Sequence, residues 1–181
     1  MELKNKVTLV LSLLFILVLS IPIIAIKITY SGLTEQEKAI YNATILEQNR
    51  TEGFNNIMEF NIVNNCYYDN YNSLCKALNG KAYHHYQGNP DQYKIVIFNA
   101  RKQLEDKGAL AEFTILHEIR HTQQYRLTME EQGRLINSII TEQEKLNNYP
   151  STYQAFEIDA NRYANQYLAF KKLDKIRTAY G

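Results

Sequence analysis

The chain reads as an α+β protein: an N-terminal transmembrane helix, then one small domain with an antiparallel sheet and several amphipathic helices. Three observations predict this class. Residues 7–26 form an almost wholly apolar run without a charged side chain. Short segments rich in alternating apolar residues follow, and Gly88-Asn89-Pro90 marks a turn between two of them. Segments free of Gly and Pro, with apolar residues at helical spacing, dominate the later part, as in residues 109–124.

The apolar run comes first. Twenty helical residues span about 30 Å, the hydrocarbon thickness of a bilayer. Lys4 and Lys6 precede the run and Lys27 follows it. A segment apolar on every face does not suit an ordinary core helix, and Pro22 near its end is tolerable in a membrane span. The basic flank places residues 1–6 in the cytoplasm, residues 7–26 in the membrane as an anchor, and residues 27–181 outside the cytoplasm as one domain. A signal peptide cleaved near Thr29-Tyr30-Ser31 is the alternative and would give a secreted domain, although its apolar core normally has only about 7–15 residues.

Beyond the anchor, Leu33–Asn49 reads as a helix with Ala39, Ile40, Ala43 and Leu46 on one face. Residues 57–63 alternate enough for a strand. Lys81–Tyr86 and Tyr93–Phe98 read as an antiparallel hairpin. A helix follows through residues 109–124, where Leu110, Phe113 and Leu116 recur at helical spacing, and another covers Met129–Leu146. Asn147-Asn148-Tyr149-Pro150 breaks it, and Ser151 or Thr152 caps a last helix striped by Phe156, Ala160, Tyr163, Ala164 and Tyr167.

Composition narrows the partners. The 20 basic and 19 acidic residues give a net charge of +1, which offers no electrostatic footprint for nucleic acid. Two cysteines, Cys66 and Cys75, form a small disulfide loop in an oxidising compartment or stay as separate thiols; spacing alone does not decide. No CxxC pattern makes them a metal site.

The chemistry concentrates at His117-Glu118-Ile119-Arg120-His121, an HExxH motif that holds two of the four histidines. Residues i and i+4 share a helix face, so two imidazoles can bind one Zn²⁺. Glu118 is then placed to act as general base toward a metal-activated water. A third ligand is needed. Glu157 on the last helix is the candidate, with Asn161 one turn on to orient a ligating histidine and with Ala160 and Ala164 small enough for close helix packing. Asp159, rotated about 200° from Glu157, is expected to face solvent. Arg120 reads as solvated or ion-paired. Tyr163 and Tyr167 are possible oxyanion stabilisers, with Tyr153, His84 and His85 as further candidates.

The order His117-Glu118-x-x-His121, then 35 residues, then Glu157-x-Asp159-Ala160-Asn161 resembles the two-helix signature of the gluzincins, HExxH metallopeptidases whose third zinc ligand is a later glutamate. The chain's size is similar to that of the minigluzincins. The resemblance covers roughly residues 92–170. It implies a small zincin-like domain, one Zn²⁺ per chain and hydrolysis of a peptide or protein substrate. It also implies that a strand beside the active-site helix receives substrate as an added strand, with Lys94–Phe98 or its neighbour in that role. Many members carry an acidic residue where this chain has Asn161. Two other readings stay open: a zincin-fold binding module without turnover, and a membrane-anchored structural protein in which the motif is accidental.

Overall fold

The computed structural model describes residues 26–52, 56–64, 79–83, 92–105, 108–144 and 152–180. Within them the chain runs β1 (Lys27–Ser31), α1 (Glu35–Glu52), β2 (Ile57–Val63), β3 (Gly80–Tyr83), β4 (Tyr93–Ile97), α2 (Ala100–Gln103), α3 (Ala109–Gln124), α4 (Met129–Glu144) and α5 (Thr152–Tyr180). The class is α+β, as the sequence predicts. The expected anchor at residues 7–26, the two cysteines and His84-His85 lie outside the described residues, apart from Ile26. No described helix is long and apolar enough to cross a membrane.

The sheet corrects the sequence reading. Its order is β1-β2-β4-β3, and only β3 and β4 are antiparallel, with Gly80 opposite Ile97 and Tyr83 opposite Lys94. β2 runs parallel to both β1 and β4, so the sheet is mixed rather than antiparallel. The expected hairpin pairing is present. Both parallel pairs run through β2, and one of them is made with β1, a five-residue strand that the sequence reading leaves unassigned between the apolar run and the Leu33–Asn49 helix. β1-α1-β2 thus forms a βαβ unit, whose crossover helix makes parallel pairing possible.

Capping chemistry starts two helices. Thr34 and Glu37 form a capping box: the Thr34 N–H and hydroxyl donate to Glu37 Oε2 at 2.7 and 2.9 Å, and the Glu37 N–H donates back to Thr34 Oγ1 at 3.3 Å. Thr128 and Glu131 repeat the arrangement at the start of α4. Arg101 ties α2 to α1 by donating from Nε and Nη2 to Glu37 at 2.6 and 3.2 Å. Gly108 stands at the N-cap of α3, and its φ of 76° is readily adopted only without a Cβ.

The main core lies between the sheet and helices α1 and α3. Phe60, Ile62, Ile95 and Ile97 meet Tyr41 and Ile45 of α1 and Ile115 and Ile119 of α3. This turns α1 away from the expected face: Tyr41, Ile45 and Gln48 are buried, whereas Ile40 and Leu46 are exposed. Polar anchors help set that rotation, since the Tyr41 hydroxyl donates to Ala100 O at 2.9 Å and Gln48 Nε2 donates to Glu112 at 3.2 Å. In α3 the buried line is Ala111, Ile115 and Ile119, with Leu116 beside it, and Leu110 is exposed. The opposite face of the sheet carries buried Glu59 between Lys27 and Lys94, each 3.1 Å away. α5 packs along α3 through Ala155, Ala160 and Ala164, all fully buried, so the small residues do permit the expected close approach.

Candidate metal centre

α3 presents His117, Glu118 and His121 toward β3 and α5. Both imidazoles sit on the face turned to α5, as i,i+4 spacing requires. Their Nε2 atoms are 2.9 Å apart. Glu157 of α5 reaches both: Oε2 is 3.2 Å from His117 Nε2, and Oε1 is 3.2 Å from His121 Nε2. One candidate donor atom from each of the three residues lies within 4.8 Å of the others, a grouping able to hold a metal ion.

The surrounding hydrogen bonds aim these donors. His117 Nδ1 is 3.1 Å from Asn161 Oδ1, in the place the sequence reading expects. His121 Nδ1 is 2.7 Å from Gln124 Oε1. Gln124 Nε2 donates to Phe156 O and to Asp159 Oδ2 at 2.9 and 2.8 Å, so its oxygen must face His121. The proton then belongs on Nδ1, and Nε2 offers its lone pair to the cluster. Two nitrogens at 2.9 Å cannot both carry protons aimed at each other. Protons and a divalent cation compete for such lone pairs. Burial opposes charge on His121, but hydrogen bonds to Glu157 and Gln124 and the charges of Glu118 and Glu157 outweigh it and raise its pKa. When protons rather than a metal occupy the Nε2 positions, hydrogen bonds from the two histidines hold Glu157 well below the usual carboxylate range.

Glu118 points to the other side of the cluster, beneath the edge of the sheet. It is buried, and the Ala82 N–H of β3 bonds its carboxylate. Burial raises its pKa; the two histidines and that N–H pull the other way. Gly80 is the close neighbour, for a Cβ there would lie 2.9 Å from Glu118 Cγ, Glu118 Oε1 and Thr114 Cγ2. A cleft of about 470 Å³ opens over the cluster, bounded by β3, by Phe113 and Phe156, and by Tyr125 and Tyr153.

The structure changes several sequence expectations. Asp159 does not face solvent: its side chain is 13% exposed and accepts from Arg120 Nε at 2.6 Å. It stands one turn after buried Ala155, on the side of α5 that meets α3. Arg120 is therefore ion-paired. Tyr163 lies under the Arg120 guanidinium, 5.6 Å from ring centre to Cζ, and neither Tyr163 nor Tyr167 lines the cleft. Both are rotated away from Glu157 on the helix, whereas Tyr153, four residues before Glu157, shares its face. β4 is an interior strand, so Lys94–Phe98 offers no free edge; among the described residues its neighbour β3 is the edge beside the site. Sequence reasoning missed Gln124 and Tyr125. Their spacing of three and four residues from His121 carried the signal. Gly80 carried none, because its role is a contact between distant segments.

No protein-family model, curated protein or solved structure matches this chain.

Proposed function

We propose that the chain is a zinc-dependent metallopeptidase of gluzincin type, with His117, His121 and Glu157 as metal ligands and Glu118 as general base. The observation that carries this reading is the convergence of two imidazoles and one carboxylate at 2.9–3.2 Å, with a second, buried carboxylate beside them. Ligand atoms of a tetrahedral zinc with bonds of 2.0–2.1 Å are about 3.3 Å apart, close to those separations. A two-His, one-Glu set that leaves a further position for water is a catalytic rather than a structural donor set.

Zinc, when bound, supplies Lewis acidity toward water and a peptide carbonyl. The protein supplies the rest. Glu118 takes a proton from the attacking water and returns it to the leaving amine; in the metal-free site its burial raises its pKa, the direction that strengthens a base. Tyr125 and Tyr153 line the cleft, the latter hydrogen-bonded to Glu157, and a tyrosine hydroxyl there can donate to a developing oxyanion. Burial first, then the charges of Glu118 and Glu157, raise the pKa of Tyr125 and keep it a donor. β3 offers its edge to an extended substrate. The apolar run at residues 7–26 adds a membrane anchor with the domain outside the cytoplasm, which protease protection of intact vesicles tests.

Metal analysis of the full-length chain, beside Glu118→Gln, tests the reading. One zinc per chain in both proteins, with hydrolysis in wild type alone, is expected. A folded wild type without zinc overturns it, and zinc without hydrolysis of any peptide favours a binding module.

A further inference from the structure

The two histidines are held unequally. Asn161, opposite His117, is exposed and makes one contact to the ring at 3.1 Å. Gln124, opposite His121, is 1% exposed, and its amide nitrogen is committed to two acceptors on α5. Those acceptors, Phe156 O and Asp159, flank Glu157 in sequence. Gln124 therefore orients one ligand and grips the backbone that carries another. Arg120, one turn before Gln124 on α3, closes the clamp by donating to the same Asp159 oxygen at 2.6 Å and to Gln123 Oε1 at 2.9 Å.

We propose that Gln124 is the residue that positions His121 for metal, that the Asp159–Arg120 pair locks it, and that Asn161 is subsidiary. The inference rests on the metal-site reading above. An exposed amide with one contact exchanges readily with water, whereas a buried amide with both donor positions assigned cannot flip without stranding polar groups. The clamp acts by orientation. Arg120 neutralises Asp159, so little net negative charge reaches the imidazole.

Zinc affinity by chelator competition, with the visible spectrum of the cobalt(II)-loaded full-length chain, provides the test. Gln124→Met keeps volume and removes the hydrogen bonds. It is expected to weaken zinc by about 10–100-fold, the usual effect of losing a partner behind a ligating histidine, and to shift the cobalt spectrum. Asn161→Ala is expected to lose less. Asp159→Asn keeps an acceptor oxygen and is expected to stay close to wild type, whereas Asp159→Leu follows Gln124→Met. Should Gln124→Met fail to fold, the Asp159 pair carries the test. Wild-type affinity and spectrum in Gln124→Met, a larger loss in Asn161→Ala, or equal losses in both Asp159 variants would overturn the inference alone. A wild type without zinc would overturn it together with the metal site.

Discussion

Replacing Gly80 by alanine probes how tightly the edge strand confines Glu118. The added Cβ would stand 2.9 Å from three atoms, Glu118 Cγ, Glu118 Oε1 and Thr114 Cγ2. Carbon atoms rest at about 3.5–4.0 Å, so the carbon contacts are short by roughly 0.6 Å or more. Thr114 has little room to yield: it is β-branched, buried, and donates its hydroxyl to Leu110 O at 2.9 Å. Glu118 is held by the Ala82 N–H. Either β3 lifts or the carboxylate moves. Overpacking of this kind destabilises by about 1–3 kcal/mol. At about 2–4 °C per kcal/mol for a domain of this size, Tm falls by roughly 2–12 °C. Misplacing a reacting group by 1 Å slows a reaction about 10²-fold, so a shift of about half that distance gives roughly a tenfold loss in kcat/KM. Differential scanning fluorimetry, metal analysis and hydrolysis of a quenched-fluorescence peptide mixture measure the three quantities. One zinc per chain should remain, since the nearest neighbours of the new methyl group belong to Glu118 and Thr114 rather than to the three ligands. Wild-type Tm and wild-type hydrolysis in Gly80→Ala would refute the close approach of β3 to the base.

Four further outcomes are expected. Glu157→Ala should bind zinc far more weakly than wild type, and an unchanged stoichiometry and affinity would move the third ligand elsewhere. Glu118→Gln should lower turnover by about 10²–10⁴-fold; equal rates would remove Glu118 from proton transfer. Tyr125→Phe combined with Tyr153→Phe should keep zinc and lose about 10²–10³ in kcat, the usual effect of deleting an oxyanion donor, and an undiminished rate would place that donor on another group. Hydrogen bonds from Arg101, then from Thr34, hold the Glu37 carboxyl down at about 2 against an ordinary 4.5. A depressed carboxylate pKa stabilises the fold above the unfolded value and loses that effect as pH falls through the folded one. The Tm gap between wild type and Glu37→Gln should therefore be full above pH 4.5 and close toward pH 2; a gap that persists at pH 2 would contradict the assignment.

Much of the local structure was legible because it depends on neighbours in sequence. β2, α3, α4 and the β3–β4 pairing follow from periodicity and turn chemistry. The placement of His117, His121 and Glu157 on two helices follows from i,i+4 spacing and from the small residues of α5. β1 was not legible, because Lys27–Ser31 directly continues an apolar run and only its pairing with β2 makes it a strand. The buried face of α1 was misread for a related reason. Both of its faces carry apolar residues, and packing under Phe60 and Ile95, with the bond from Tyr41 to Ala100, selects one of them.

The sequence by itself determined which residues can do chemistry, since metal ligation and proton transfer demand particular side chains at helical spacing. It also determined the α+β class, through hydrophobic periods set within a few residues. Tertiary structure alone decided the parallel pairing of β1, β2 and β4, the place of β3 at the sheet edge beside Glu118 among the described residues, the pairing of Asp159 with Arg120 and the clamp on Gln124. Each of these is a contact between segments far apart in the chain. Such contacts are selected by the packing of the whole core, and no local pattern encodes them.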